Sequence, residues 1–572
     1  MTIKPIPYGI ADYKRVVTEG YAYVDKTMYI RTLEQAGVYN LFLRPRRFGK
    51  SLFASMLRYY YDKNEEDNFD ALFSHLDIGK DPTPKKNAYY VLNFNFSGIR
   101  TDSPEIMLDD FTRKVHNALS AFCAKYHLDI TLEKDSPAMQ LSHLFTQFQA
   151  QCDGKIYVII DEYDHFANEL LSTNPSSFAD AVSGDGFVRT WYEVLKEASE
   201  TIVDRIFITG VSPITLDSLT SGFNISQNLS MMPRFNEMMG FTRNEVEQLI
   251  QETISENPPY DLMDTLTNYY NGYCFSKGGK ERVFNSDMVL YYLDNYQQNH
   301  TPPDTLLDHN AISDYGKLER LIRFQTPKQN LEILKEIVFD GYTTANLVEQ
   351  YFIGQKFKAE HFKSLLFYLG LVTIKEANLG FLRLQTPNSA MTGLYFDFLM
   401  QIIIDETNYV PDTSKIADAM HQLAYENEIE KLVALVEGFL HALSNRDSIH
   451  FSEKEIKIAM AAYAGMTNLY LIKSEYEVEK RYIDLAFFPR DANSELDMLL
   501  FELKYIKKSD VPDPASPAGE KMIQEKCLEA MKQLEAYGSA KEFLDKKIIA
   551  WAIVFVGDAC VKRERLMIKK HF

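Results

Sequence analysis

The stretch Arg44-Pro45-Arg46-Arg47-Phe48-Gly49-Lys50-Ser51 lies between an apolar run, Tyr39 to Leu43, and a helical pattern, Leu52 to Tyr61. A Gly-Lys-Ser at a strand-to-helix junction turns main-chain N–H groups and a helix N-terminus toward phosphate. The lysine then reaches the outer phosphates and the serine hydroxyl reaches Mg²⁺. These residues read as the back half of a phosphate-binding loop, with Arg47, Phe48, Gly49, Lys50 and Ser51 against a nucleotide and Ser51 against its metal ion. The full pattern asks for a glycine where this chain has Arg44.

A second signature follows downstream. Ile156-Tyr157-Val158-Ile159-Ile160 is short, apolar and rich in β-branched residues, as a strand buried on both faces of a parallel sheet should be. Asp161 and Glu162 come directly after it. An acid at the carboxyl end of such a strand reaches the magnesium shell and its neighbour orients the attacking water, which assigns Asp161 to Mg²⁺ and Glu162 to hydrolysis. The bland reading is a solvated strand end. Tyr89 to Phe96 and Arg205 to Thr209 supply two further strands, and strands alternating with helical stretches indicate a doubly wound α/β domain. Thr209 and Ser212 stand where a hydroxyl could sense a γ-phosphate or simply satisfy a turn. His165 reads as a loop residue rather than a metal ligand, and Asp164 has no defined role.

Tyr23-Val24-Asp25-Lys26-Thr27, the RPRRFGKS loop, VIIDEYD from Val158, ITGVSPI from Ile208, Gly240 to Thr242 and YNGYCF from Tyr270 together resemble the AAA-ATPase-like family of prokaryotic proteins. The resemblance covers roughly the first half of the chain. It implies an ATP-binding P-loop domain of the wider AAA+ type, in which an arginine similarly stands at the position of the first loop glycine.

Near the other end, Tyr482 to Phe487 and Met498 to Tyr505 read as adjacent apolar strands joined by a polar loop, Pro489 to Asp497. Asp484, Glu502 and Lys504 interrupt them. Glu502 and Lys504 point to one face of their strand, and Asp484 on the neighbouring strand can join them. Two carboxylates can hold Mg²⁺, while the lysine positions or activates water and offsets charge on a scissile phosphate. Solvated charges on an edge strand are the alternative.

This spacing is similar to the PD-(D/E)XK nuclease superfamily, and the string from Ile472 through FELKYIKK resembles the nuclease domain often fused behind AAA-ATPase-like modules. Carried over by the resemblance, Asp484, Glu502 and Lys504 match metal-binding and catalytic positions. Glu453, in the Phe451-Ser452-Glu453-Lys454-Glu455 run that opens the preceding helix, matches a further metal-binding acid. Gln533 and Tyr537 match a Gln-x-x-x-Tyr motif. Lys480-Arg481-Tyr482 departs from the family's Lys-Gly, and Arg481 lacks the conformational freedom of glycine at the turn before the catalytic strand.

The middle of the chain carries fewer signals. Thr242 to Tyr273 fits a small helical lid, Asn299 to Pro303 a linker, and Phe362 to Thr373 with a strand pair around Gly380 to Gln385 outlines a winged helix suited to packing. Met391 to Asp405 and Ile416 to Leu443 read as helices. A chain of 572 residues predicts two to four domains. The expected order is an AAA-ATPase-like P-loop core at 1–242, a helical lid at 243–300, a helical linker with a winged-helix-like segment at 301–420 and an α/β restriction-endonuclease-like domain at 421–572. A net charge of −19 argues against nonspecific coating of nucleic acid, which depends on phosphate neutralisation. Local basic clusters remain, including Lys507 and Lys508 beside Lys504, and Lys562, Arg563, Arg565, Lys569 and Lys570, which read as a solvated helix face. The five scattered cysteines fit a reducing, cytoplasmic setting, and no apolar stretch reaches the roughly 18 residues of a membrane span.

The expectation is an ATP-binding, ATP-hydrolysing protein whose nucleotide state controls a metal-dependent nuclease, with ATP and Mg²⁺, or Mn²⁺ at the nuclease site, as cofactors. DNA is the expected partner, with RNA open, no membrane, and a homo-oligomer left open. The alternative is an ATP-dependent switch or scaffold whose nuclease fold is inactive and binds a protein or nucleic-acid partner.

Overall fold

The computed structural model describes residues 3–133, 135–165, 186–213, 225–254, 262–308, 322, 326–349, 358–378, 380–407, 409–444, 452–467, 469–490, 495–540, 543 and 547–568. Ile214, Phe451, Lys569, Lys570, part of the expected lid (255–261) and part of the loop after Pro489 (491–494) lie outside the described residues. Two compact units form, Met1–Asn330 with Thr344–Pro387, and Leu331–Thr343 with Asn388–Phe572.

The first unit is built on a parallel sheet of β1 (Tyr39–Leu43), β2 (Tyr90–Asn95), β3 (Ile156–Asp161), β4 (Val203–Gly210) and β5 (Gln227–Asn228), in the order β2-β3-β4-β1-β5. Parallel neighbours need crossovers, here supplied by helices such as Lys50–Tyr61, Pro104–Tyr126, Pro137–Gln151 and Phe187–Ala198. Buried at every position, β3 accounts for its unbroken apolar run. Ser103 and Ser136 cap the second and third of these helices, each followed by proline at the first turn. Because the strands are parallel, their carboxyl ends gather at one edge, and Gly49, Asp161 and Gly210 come together there.

Later in this unit, a Thr242–Glu245 capping box opens the helix Arg243–Thr253, followed by Leu262–Tyr270 and Ser286–Asn299. After a short strand, β6 (Thr343–Ala345), the helix Ala359–Tyr368 leads into an antiparallel hairpin of β7 (Thr373–Asn378) and β8 (Phe381–Gln385). The helix and hairpin dock on the YNGYCF segment: Cys274 N donates to Thr373 Oγ1 at 2.7 Å and Phe367 meets Phe275 edge-on. The segment outlined as a winged helix thus packs on the YNGYCF segment of its own unit.

In the second unit, helices including Ser389–Thr407, Glu430–Ser444 and Glu453–Gly465 precede a sheet of β9 (Tyr470–Val478), β10 (Arg481–Pro489), β11 (Met498–Ile506), β12 (Ile548–Val556) and β13 (Ala559–Ile568). Their order is β13-β12-β11-β10-β9. Only the β11–β12 pair is parallel, and the helix Pro517–Gly538 makes its crossover. The strands holding Asp484 and Glu502 are therefore central, which excludes the edge-strand reading of those charges.

Two expectations are corrected. Lys562, Arg563 and Arg565 lie on β13, whose exposed positions carry the charges of an outer strand that resists pairing with other chains, and not on a helix. At the β9–β10 turn, Val478 pairs with Arg481, so Glu479 and Lys480 alone form the loop, both at positive φ (47° and 67°). The conformational demand falls on those two residues, and Arg481 is ordinary strand.

Candidate functional site

Gly49 caps the helix Lys50–Tyr61 from the left-handed region, φ 89°, which a side chain would disfavour. That turn sets the N-terminus of the helix at the edge where β3 ends. Ser51 Oγ donates to Asp161 Oδ2 at 2.7 Å, so the two oxygens assigned to a metal ion from separate parts of the sequence lie side by side. Lys50 folds over the loop and donates to the Pro45 carbonyl at 3.0 Å. Burial raises the Asp161 carboxyl, and the Ser51 hydroxyl opposes that. Burial acts the same way on Glu162, but the His165 hydrogen bond and the Lys50 and Arg46 cations bring its carboxyl down to about 2. Glu162 is thus held ionised, in a left-handed conformation (φ 55°) that costs a non-glycine residue strain, a pattern common at functional sites.

A cavity of about 520 Å³ opens over this loop. Lys50, Ser51 and Glu162 are among its polar lining, and Ile10, Tyr23, Val24, Met239, Phe241 and Leu290 among its apolar lining. Polar groups at a helix N-terminus together with apolar side chains suit a nucleotide. Arg47 also lines the cavity, with its guanidinium on Asp287 at 2.6 Å and Asp308 at 2.8 Å. The Phe48 ring is buried edge-on against Tyr273 and Phe275, so this residue offers the cavity mainly its main chain.

Several contributors escaped the sequence reading. Asn95, at the end of β2, lines the cavity and donates to Asp161 Oδ2 at 3.4 Å; its place at the carboxyl end of a neighbouring parallel strand was the available signal. Asp164 is fully buried and accepts from Val211 N and Ser212 N, tying the loop after β3 to the loop after β4. A Cβ at Gly210 would meet Asp164 Oδ1 at 2.2 Å, so this junction requires glycine. The Ser212 hydroxyl also bonds Asp164, while Thr209 is buried, and neither borders the cavity.

Arg44 turns away from the loop altogether. Its guanidinium donates to the Leu43, Ser230 and Phe235 carbonyls at 2.7 to 2.9 Å and lies 4.2 Å from the Phe42 ring and 4.4 Å from the Phe275 ring. The arginine that replaces the first loop glycine therefore anchors the loop from below and leaves the phosphate side clear.

In the second unit, continuing the Leu485–Phe501 register sets Asp484 opposite Glu502. Leu503 N donates to Asp484 Oδ2 at 2.7 Å, and Lys504 Nζ lies 2.9 Å from Glu502 Oε1. A Ser452–Glu455 capping box starts the helix Glu453–Gly465 and brings Glu453 to the same place through Lys457, whose ammonium contacts both Glu453 and Asp484. Tyr537 donates to the Tyr482 carbonyl at 2.8 Å, and Gln533 lies one turn earlier on the same helix. Lys457 and Glu475 are the members of this cluster that sequence reading missed.

Glu502 is 2% exposed and its Oε2 has no hydrogen-bond partner, the kind of orphaned oxygen that a hard cation satisfies. Among the described residues no three His, Cys, Asp or Glu side chains converge into a ready cation cage, and Asp484 and Glu502 face one another across neighbouring central strands. Burial and the nearby Asp484 push Glu502 up to about 7, while Lys504 and Lys457 oppose them. Because the folded state holds this proton more tightly than the unfolded chain, the contribution is fully present below pH 4.5 and lost as pH rises through about 7. Urea unfolding in a chelator is expected to show on the order of 3 kcal/mol of stability lost across that window, and Glu502→Gln is expected to flatten the loss. An unchanged slope in that variant would remove Glu502 as the cause.

Residues 7–220 match the family described as predicted AAA-ATPase, AAA-ATPase-like, and residues 451–565 match the PD-(D/E)XK nuclease superfamily. A relative described as an uncharacterized protein in the vnfD 5′ region of Azotobacter chroococcum mcd 1 is 29% identical over 296 residues, covering 51% of this chain and 52% of its own length. The chain thus spans about half the length of that relative. Among solved structures, Cdc6p from Pyrobaculum aerophilum aligns at 11% identity and a TM-score of 0.27, covering 67% of this chain and 97% of that one.

Proposed function

We propose, from an AAA-ATPase-like segment followed by a PD-(D/E)XK nuclease segment, that the chain binds and hydrolyses ATP in its first unit and cleaves nucleic-acid phosphodiester bonds in its second, under control of the nucleotide state. The observation that carries the nuclease half is the set of buried Asp484 and Glu502 and partly buried Lys504 on two central strands, with one Glu502 oxygen unpartnered. DNA is the favoured substrate and Mg²⁺ or Mn²⁺ the favoured ion. Five free cysteines suit a reducing cytoplasm, and among the described residues no helix is long and apolar enough to cross a membrane.

In the first unit, Lys50 and the main-chain N–H groups after Gly49 would hold the phosphates, Ser51 and Asp161 their Mg²⁺, and the ionised Glu162 would orient water. In the second, Asp484 and Glu502 would hold the ion, with Glu453 at its margin. A divalent ion bound there supplies Lewis-acid polarisation of the phosphoryl group. Burial lowers Lys504, but the charge and hydrogen bond of Glu502 outweigh it and the net shift is upward. That upward shift favours an ammonium at Lys504, which would offset phosphate charge rather than activate water.

That no three acids among the described residues form a ready cation cage favours the second reading, a nucleotide-dependent scaffold with an inactive nuclease fold. Cleavage of single- and double-stranded DNA and RNA with Mg²⁺ or Mn²⁺, with and without ATP, separates the two. Cleavage is expected in the wild type, with a severalfold response to ATP that Lys50→Ala abolishes. No cleavage of any substrate would leave the scaffold, and an ATP response surviving in Lys50→Ala would sink the control.

A further inference from the structure

The second unit holds a buried cation that the nuclease reading does not use. Lys457 Nζ lies 2.6 Å from Glu475 Oε1, 2.7 Å from Asp484 Oδ1 and 3.2 Å from Glu453 Oε1, with its side chain 5% exposed. It follows Glu453 by one helical turn, so the capping box that fixes the helix start also fixes this ammonium. Burying a lysine without partners would be costly, and three carboxylates surround this one.

Nucleases that use two metal ions hold them about 4 Å apart on shared carboxylates. Here one oxygen each of Asp484, Glu453 and Glu475 faces Lys457, not a shared cation position, and Glu502 Oε2 is the buried oxygen of the cluster without a hydrogen-bond partner. Fully ionised, the four carboxylates of Glu453, Glu475, Asp484 and Glu502 against Lys457 and Lys504 leave a formal charge of −2. One divalent ion neutralises that charge, and a second would reverse its sign. We infer that Lys457 takes the place of a second metal ion, so that this site binds a single divalent cation at Asp484 and Glu502. Lys457 is then a positioning residue, holding Asp484 for the ion. The inference rests on the nuclease reading of the site.

Counting bound Mn²⁺ by electron paramagnetic resonance tests it without reference to cleavage. The full-length, nucleotide-free chain would carry Asp161→Asn throughout, to remove the other candidate metal position. One Mn²⁺ is expected in this background, none after Glu502→Gln, one with Lys457→Arg, and two spin-coupled ions with Lys457→Met. Two ions in the background protein, or one in Lys457→Met, would overturn the inference while leaving the nuclease reading in place. No ion in the background protein, or one that persists after Glu502→Gln, would overturn both. Should Lys457→Met fail to fold, the background count decides, one ion supporting the inference and two overturning it.

Discussion

Lys504→Ala is expected to lower nucleic-acid cleavage by ~10²–10³-fold, in the range for removing one preorganised electrostatic group from a reacting centre. The ammonium is 15% exposed at the side chain and 2.9 Å from Glu502, so it sits in a site where water screens it poorly. Its charge is sustained by Glu502 and reinforced by Asp484 and Glu453, all of which push its proton affinity up. Phosphodiester cleavage builds negative charge on the phosphoryl oxygens, and a fixed cation beside the acids proposed to bind the metal would stabilise that charge without having to reorganise. Lys504→Arg should recover only part of the rate, because the planar fork is not a point charge. Single-turnover cleavage of a labelled duplex provides the measurement, with Mn²⁺ binding and ATP binding as controls for folding. The assignment fails if cleavage persists in Lys504→Ala and also in Asp484→Ala and Glu502→Ala.

Much of this arrangement is local in sequence and was legible for that reason. The loop from Arg44 to Ser51 carries its own strand, turn and helix start, and Ile156 to Asp161 carries both the burial pattern and the acid that ends it. Glu502 and Lys504 share a strand face through the period of two. Asn95, Asp164, Lys457 and Glu475 were not legible, because each acts across a contact between elements far apart in the chain, and no spacing rule joins Lys457 to Asp484. The C-terminal strands failed differently. Ile548–Val556 is a continuous apolar run without alternation, and its outer neighbour β13 mixes apolar and charged residues densely enough to pass for a helix face. The interleaving of the two units, with Leu331–Thr343 joining the second while Thr344–Pro387 returns to the first, depends on tertiary packing alone.

Arg44→Gly, which would write the missing glycine into the phosphate-loop pattern, is expected to destabilise the first unit by about 4 kcal/mol and to leave nucleotide affinity no better. Arg44 is 1% exposed and bonded to three main-chain carbonyls, two of them on the Ser230 to Phe235 segment beyond β5. Glycine would strip the donors from buried acceptors, at roughly 1–3 kcal/mol each, and leave a cavity between the Phe42 and Phe275 rings. Relief of a desolvated cation offsets part of this, since burial, opposed by Cys274, Tyr29 and Tyr368, lowers Arg44 to about 9. Arg44→Met separates the contributions: it keeps most of the volume and loses the donors, so it should cost about half as much. Urea unfolding of each variant, alongside ATP titration, gives the comparison. A glycine variant as stable as the wild type, or one that binds ATP more tightly, would mean that Arg44 is an obstacle the loop tolerates; a large loss would mean that the loop is braced from beneath by the residue that breaks its pattern.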